Sequence, residues 1–241
     1  MHGFWQHIWR TEEDDSRVWL TRWQDWAIAL AFLLVSISLF RNRQSLSRDF
    51  VYSTSRALVV LLILQNLSRY IFNRKHYPVD MRYPLYSCNV SGIILAVSFF
   101  VPFNSQAWNS LVMWAAFSGL YGGFFAILMA KPSNFKFPHM ANLDYYIGHI
   151  CIYFLGLRHI LYYPEFLTTA MLRDTTLITL FYLAIVYKVN PLLGTNYGFT
   201  NYVPEPLIVL QKIPFKVYRV LLVLGYSLAN ALTYLAAKIL A

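Results

Sequence analysis

The chain has 241 residues, of which 58% are hydrophobic and only 13% carry a charge. Soluble globular domains carry about 25% charged residues, so this composition excludes an ordinary soluble domain and is typical of a protein surrounded by lipid. The formal net charge is +9, and the basic residues lie in short segments beside apolar runs. We therefore expect anionic lipid headgroups as their partners, and we exclude nucleic acid because basic runs interleaved with stacking aromatic residues do not occur.

The first 22 residues differ from the rest of the chain. They are aromatic and acidic, with an uninterrupted acidic run from Glu12 to Asp15. They lack the layout of a signal peptide, and we predict that residues 1–22 form an N-terminal interfacial segment. We predict that residues 23–241 form one transmembrane domain.

Seven apolar runs follow the acidic segment, and a membrane-spanning helix needs about 20 such residues. Basic residues and prolines close most of the runs, as expected at helix ends. The pattern predicts an all-α fold, a polytopic transmembrane helix bundle of about seven spans. In chain order, the predicted spans are Trp23–Phe40, Ser55–Phe72, Tyr83–Val101, Ala107–Ala130, Leu143–Tyr162, Thr169–Tyr187 and Val217–Leu240.

The longest predicted connection covers residues 190–214 and is too broken by proline to span. We expect it to lie in the interface or to fold back into the mouth of the bundle, because non-helical backbone at membrane depth needs cover from protein. The distribution of basic residues over the two sides favours a cytoplasmic N-terminus. An odd number of spans places the two termini on opposite sides.

Small residues line one face of the fourth predicted span. Ala115, Gly119 and Gly123 recur every four residues, a spacing that lets two helix backbones approach closely in a membrane. We interpret this stripe as a packing surface.

The chain has two cysteines, Cys88 and Cys151, both inside apolar runs. They do not form the C-x-x-C pair of a zinc site or a disulfide framework, and we expect no metal and no cofactor. Cys151 is interpreted as a small buried hydrophobe. His76, His139 and His159 lie near the ends of predicted spans and are interpreted as interface residues.

Three polar side chains inside the spans require an explanation, because each costs at least about 2.5 kcal/mol to insert. They are Arg69 near the end of the second span, Cys88 early in the third and His149 early in the fifth. The alternating direction of the spans places all three at the same mouth of the bundle, with Cys88 and His149 at similar depth. We expect no comparable cluster at the opposite mouth.

A thiol and an imidazole at one depth are the minimal equipment for covalent acyl transfer. A helix N-terminus and a nearby imidazole both favour the reactive thiolate. Asn89 or Ser91 could stabilise the oxyanion, and Arg69 could hold a phosphate. The residues alone also allow a structural interpretation, in which the thiol is a small hydrophobe, the imidazole bonds a neighbouring helix and Arg69 extends to the interface.

Three stretches bear on this choice: YPLYSCN at residues 83–89, YIGH at 146–149 and LGTNY at 193–197. Their order and spacing resemble the YwaF-like family of integral membrane proteins, although Tyr86 stands where bacterial relatives often have histidine. The resemblance implies a Cys–His acyltransferase that moves fatty acyl chains between phospholipids. It also implies Cys88 as nucleophile, His149 as base, and Asn196 and Tyr197 as residues lining the site.

The sequence therefore predicts a membrane-embedded acyltransferase or transacylase, with Arg69, Asn89, Asn196 and Tyr197 as substrate-binding residues. Phospholipid and lysophospholipid are the expected partners, and the cell membrane is the expected location. Two alternatives remain open at this stage. A small transporter or channel would use Arg69 and His149 to line a path, and a non-catalytic scaffold would leave the polar residues far apart.

Overall fold

The computed structural model describes residues 8–9, 23–72, 83–129, 135 and 139–240, without the side chains of residues 69–72, 205–206 and 240. Within these ranges the regular structure consists of α-helices and three 3-10 helices (Pro164–Phe166, Tyr197–Phe199 and Glu205–Lys212), and the all-α prediction is confirmed. The α-helices are α1 (Trp23–Arg41), α2 (Arg48–Phe72), α3 (Ser87–Ser98), α4 (Gln106–Leu128), α5 (Met140–Tyr162), α6 (Thr169–Leu193) and α7 (Phe215–Leu240). Apart from Ile8 and Trp9, the predicted interfacial segment lies outside the described residues.

Five of these helices are long and apolar enough to cross a membrane, namely α1, α2, α4, α6 and α7. Each of the seven predicted spans corresponds to one of the α-helices α1–α7, but α3 and α5 do not meet this measure of length and apolarity. Helix α5 has 23 residues, but Asp144, His149 and Arg158 interrupt its apolar sequence. Helix α3 has 12 residues and rises about 18 Å, which is shorter than the roughly 30 Å hydrocarbon core.

Several predicted helix ends were displaced because capping, and not apolarity, sets where a helix begins and ends. Helix α2 begins at Arg48, well before Ser55, and the hydroxyl of Ser47 accepts a hydrogen bond from the Phe50 amide. Helix α6 continues past Tyr187 and ends where Gly194 adopts a left-handed conformation with φ of 65°. The N-cap of α5 is His139 and not Asn142, whose side chain donates to the Phe135 carbonyl.

Helix α4 occupies the centre of the bundle and packs against α1, α3, α5, α6 and α7. All of its residues from 112 to 119 are buried. The predicted stripe of small residues faces α5, because a Cβ atom on Gly119 would lie 2.7 Å from the Ile152 carbonyl oxygen and one on Gly123 would lie 2.7 Å from that of His149. On the α5 side, a Cβ atom on Gly156 would lie 2.6 Å from the Ala116 carbonyl oxygen of α4. The stripe is confirmed as a packing surface.

The bundle has two chemically distinct ends. At the loop end, α2 and α4 finish, α5 begins and α6 leads into the connection to α7. At the far end, the Tyr52 ring of α2 lies 5.2 Å from Phe99, which follows α3. The Phe103 ring before α4 lies 4.8 Å from Phe166, in the connection between α5 and α6. These contacts define the far end as the meeting point of α2, α3, α4, α5 and α6.

Asn190 folds the connection between α6 and α7 back onto the bundle, which is one of the two predicted placements. The side chain is fully buried. Its Nδ2 donates to the Tyr197 carbonyl and to the Thr200 hydroxyl, both at 2.8 Å. Its Oδ1 accepts from the Thr195 hydroxyl at 2.9 Å and from the Tyr197 amide at 2.8 Å.

The interface interpretation of the outer histidines was wrong where the structure describes them. His139 is 7% exposed and His159 only 1%, whereas His76 lies outside the described residues. His159 Nδ1 donates to the Leu155 carbonyl and Nε2 lies 3.0 Å from the Ser98 hydroxyl. Also at the far end, the Asp174 carboxylate accepts hydrogen bonds from Ser110 and Arg173. The prediction that this end has no comparable polar cluster was therefore wrong as well.

Candidate functional site

A narrow cleft of about 10 Å³ lies where α2, α3 and α5 meet. Its polar lining consists of Gln65 and Asn66 from α2, Cys88 and Asn89 from α3, and His149 from α5. Leu62, Gly92, Gly148 and Ile152 complete its walls. The cleft therefore brings together three residues that the sequence predicts for one site, Cys88, Asn89 and His149.

Cys88 is the second residue of α3, in the first helical turn. Tyr86 before it has an extended conformation and provides no side-chain cap. The first amide groups of a helix have no acceptors within the helix, and the helix dipole concentrates positive potential there. A helix N-terminus is a position at which reactive cysteines occur in proteins.

His149 is oriented by its own helix. Its Nδ1 lies 2.7 Å from the Tyr145 carbonyl oxygen, and since a carbonyl only accepts, Nδ1 carries the proton. The lone pair of the neutral ring is then on Nε2, the arrangement that a general base uses. The Tyr145 ring packs against the imidazole with 4.4 Å between centroids.

Two adjacent glycines of α4 support the cysteine and the histidine. A Cβ atom on Gly122 would lie 3.2 Å from Cys88 Sγ, and one on Gly123 would lie 2.7 Å from the His149 carbonyl oxygen. A side chain at residue 123 would displace α5 from α4, and one at residue 122 would press on the Cys88 sulfur. The shared contact with residues 122 and 123 fixes the two predicted catalytic residues against one turn of the central helix.

The segment that leads into α3 is half-buried and packs against tyrosines of other elements. The Tyr182 hydroxyl of α6 donates to the Leu85 carbonyl at 2.8 Å. The Tyr197 ring meets the Tyr86 ring edge-on, with centroids 5.0 Å apart. Non-helical backbone at this depth is tolerated because protein groups satisfy and cover it. Helix α3 consequently begins against these tyrosines, and Cys88 is half-buried in its first turn.

Three phenol groups lie near Cys88 without contributing to the cleft wall. Tyr121, Tyr182 and Tyr226, from α4, α6 and α7, are close enough to the thiol to interact with it electrostatically. The rings of Tyr121 and Tyr226 are 6.4 Å apart. These residues were not predicted from the sequence, because positions on three separate helices carry no local motif.

Gln65 and Asn66 were also missed, although a signal was present. Two consecutive amides interrupt the apolar run of α2, one helical turn before Arg69, which the sequence predicted as a site residue. Gln65 is 5% exposed. The Asn66 Nδ2 donates to the Leu62 carbonyl of its own helix at 2.8 Å. A third missed group is Asp144, a buried carboxylate that accepts a hydrogen bond from Ser68 at 3.1 Å.

The remaining predicted residues lie elsewhere. Arg69 belongs to α2, but its side chain lies outside the described part of the chain. The Asn196 amide oxygen accepts from the backbone amides of Asn201 and Tyr202, and its Nδ2 donates to the Tyr202 carbonyl. Tyr197 is fully buried beside Tyr86. Asn196 organises the loop and Tyr197 supports the start of α3, and neither is part of the cleft wall.

Cys151 is 1% exposed and packs in the main hydrophobic cluster, as predicted. Among the residues that the structure describes, no group of three or more histidine, cysteine or acidic side chains is placed to hold a metal ion.

The chain belongs to the TMEM164 family, whose sequence model matches residues 17–235. Together with the five candidate spans, this membership identifies a polytopic membrane protein. No curated protein and no solved structure matches the chain.

The family predicted from the motifs at residues 83–89, 146–149 and 193–197 was wrong, because the matching model is that of the TMEM164 family and not of a YwaF-like family. The motif residues are nevertheless well placed in the fold. Two of the three stretches supply cleft residues, and the third covers the start of α3. Any activity must therefore be argued from the site itself.

Proposed function

We propose that this protein is a membrane-embedded acyltransferase, or transacylase, that moves fatty acyl chains between phospholipids through a thioester on Cys88. The single observation that carries the proposal is the cleft shared by Cys88 and His149. A thiol at a helix N-terminus and an imidazole with its lone pair on Nε2 form a nucleophile and base of the required kinds. A scaffold has no need of such a pair in one cleft.

In the first half-reaction, His149 takes the thiol proton and the Cys88 sulfur attacks the carbonyl carbon of a phospholipid ester. The carbon–oxygen bond of the ester breaks, the leaving alkoxide takes the proton from His149, and a lysophospholipid departs. In the second, His149 removes the proton from the hydroxyl of another lysophospholipid, which attacks the thioester. The carbon–sulfur bond then breaks and the thiol is restored. Side chains alone supply this chemistry, without a cofactor.

The cleft is narrow, with a volume of about 10 Å³, which is about the space of one water molecule. Entry of an ester group therefore requires the side chains that line the cleft to move apart, while the acyl chain and the headgroup stay outside. A protein embedded in lipid meets such substrates in the membrane plane, and we propose the cell membrane as its location.

The outer parts of the substrate require separate recognition. We assign Asn89 to the ester region, because it lines the cleft next to Cys88. Arg69 follows Gln65 by one helical turn on α2 and remains our candidate for the phosphate, as a guanidinium binds phosphate in bidentate geometry. Asn196 and Tyr197 remain candidate substrate-binding residues only in an indirect sense, through the loop that covers the start of α3.

Acyl exchange by the purified protein tests the proposal. The protein is placed in vesicles that contain a phospholipid with a deuterated acyl chain and an unlabelled lysophospholipid acceptor, and mass spectrometry follows deuterium into the product. We expect exchange by the wild type, none by Cys88→Ala, and a loss of about 10²–10⁴-fold for His149→Gln. An acyl adduct on the Cys88 peptide should disappear in neutral hydroxylamine.

Cys151→Ala is the matched control, because Cys151 lies two residues beyond His149 on α5 and outside the cleft wall. It should exchange acyl chains at the wild-type rate. Wild-type rates in Cys88→Ala would contradict the proposal. Solute movement across the vesicle membrane that survives Cys88→Ala would support a transporter or channel.

A further inference from the structure

Gln65 is a buried amide for which the two half-reactions above have no role. Its side chain lines the cleft with Cys88 and His149, and the residue is 5% exposed. The Oε1, Nε2 and Cδ atoms of the amide lie 3.6–3.7 Å from the position that a Cβ on Gly148 would occupy. Gly148 precedes His149, so the amide lies against the turn of α5 that carries the base.

Attack of a thiolate on an ester creates a negative charge on the former carbonyl oxygen. In a site that excludes water, hydrogen-bond donors fixed before the reaction stabilise this charge strongly. The cleft offers side-chain amides as donors, from Gln65, Asn66 and Asn89. Asn66 donates to the Leu62 carbonyl in its own helix, which holds its amide along α2. Asn89 adjoins Cys88 on α3, whereas Gln65 comes from a different wall of the cleft.

We propose that the Gln65 side-chain N–H binds the acyl carbonyl oxygen and stabilises the oxyanion that forms when Cys88 attacks. As the carbon–sulfur bond forms, the carbonyl π pair moves to oxygen, and the amide hydrogen bond strengthens. When the intermediate collapses, the pair returns, the ester carbon–oxygen bond breaks and His149 protonates the alkoxide. The inference rests on the proposed function and adds a third catalytic residue to it.

A neutral amide suits this position better than a cation. Lysine or arginine would carry a permanent charge inside the membrane, with a large insertion cost. A glutamine supplies two N–H donors and one acceptor with no net charge. Its donor strength matters only when negative charge develops, which is the condition for lowering a barrier without tightening substrate binding.

Two reagents that react with the same thiol separate this role from a structural one. An activated acyl ester acylates Cys88 through an oxyanion, whereas iodoacetamide alkylates it by displacement at carbon and forms none. We expect Gln65→Met, which keeps the length and loses the donor, to acylate about 10²–10³-fold more slowly. Gln65→Glu should be at least as slow, because its carboxylate repels the oxyanion. Alkylation of Cys88 should change by less than about twofold in Gln65→Met, since the reactivity of the thiolate itself is retained.

Gln44→Met is the matched control, because Gln44 is exposed in the turn between α1 and α2, and it should acylate like the wild type. Equal acylation rates for Gln65→Met and the wild type would overturn the role of Gln65 and leave the proposed function intact. An equal fall in both reactions would also overturn it, since the damage would then be to the thiol or the cleft. Failure of the wild type to form any Cys88 adduct would overturn the proposed function together with this inference.

Discussion

Glycines set the distance between the central helix and its main neighbour. Gly123 allows the His149 carbonyl oxygen and the Tyr153 Cβ to come within 2.7 and 2.8 Å of the position of a missing Cβ. Contacts this short leave no room for a methyl group. The position of the candidate base therefore depends on a residue of another helix that has no side chain.

Gly123→Ala should lower stability by about 1–3 kcal/mol, because overpacking forces α4 and α5 apart. The same displacement should slow acylation of Cys88, since it moves His149. Thermal unfolding in detergent measures the first effect. Gly225→Ala is the control, because no atom lies within 4 Å of its missing Cβ, and alanine favours the helix by up to about 1 kcal/mol. Equal melting temperatures for the two variants would contradict the packing role.

At this scale, the sequence revealed residues whose chemistry is unusual for their surroundings. Cys88 and His149 were identified because polar groups in apolar spans are costly, and the direction of the helices placed them together. Gln65, Tyr121 and Tyr226 were missed because amides and phenols are ordinary at many membrane positions. Their importance appears only when the packing of four helices brings them near the thiol.

Helices α3 and α5 run in parallel from the site to the far end. Cys88 and His149 share the cleft, and ten residues further along each helix Ser98 lies 3.0 Å from His159. Both pairs have the same separation of 61 positions in the chain. A polar contact between Ser98 and His159 therefore joins the far ends of the short and the long helix, and the shared cleft lies between their beginnings.

The approximate positions of the helices followed from apolarity, but the short length of α3 did not. Residues 83–86 are apolar enough to continue the helix, yet Tyr182 and Tyr197 provide cover for an extended backbone there. Likewise, the predicted span ended at Tyr187, whereas the helix α6 continues through Pro191 and ends at Gly194. Local composition does not encode such tertiary cover, and this is why the beginning of α3 was predicted too early.

Asn190→Ala should loosen the connection between α6 and α7, because it removes four buried hydrogen bonds. Unsatisfied buried groups cost about 1–3 kcal/mol each, so we expect a lower melting temperature and faster proteolysis within residues 195–203. Iodoacetamide should also reach Cys88 faster, because the Tyr197 ring packs against Tyr86, two residues before Cys88.

Asn42→Ala is the control for this element. Its Nδ2 donates to the Ser38 carbonyl in an exposed turn, so the variant should behave like the wild type in all three measurements. Unchanged proteolysis in Asn190→Ala would show that another contact anchors the connection.

For the whole molecule, the far end and the loop end should face opposite sides of the membrane. Ser45 and Glu165 are exposed at the far end, and Lys212 is exposed at the loop end. In a background with Cys88→Ser and Cys151→Ser, we introduce single cysteines by Ser45→Cys, Glu165→Cys and Lys212→Cys. An impermeant maleimide added to sealed vesicles should label the first two from one side and the third from the other. Labelling of residues 45 and 212 from the same side would contradict this topology.

The beginning of α3, which packs against tyrosines from later parts of the chain, has a consequence for how the protein is made. Leu85 is synthesised 97 positions before Tyr182, the residue that satisfies its carbonyl group, and Tyr197 follows later still. When α3 leaves the ribosome, it is too short to cross the bilayer and its first turn has no cover. The thiol therefore acquires its final surroundings only after α6 and the following loop have been translated. Assembly of the site is a late event in biogenesis, and a chain interrupted before residue 197 contains both Cys88 and His149 without the structure that holds them in place.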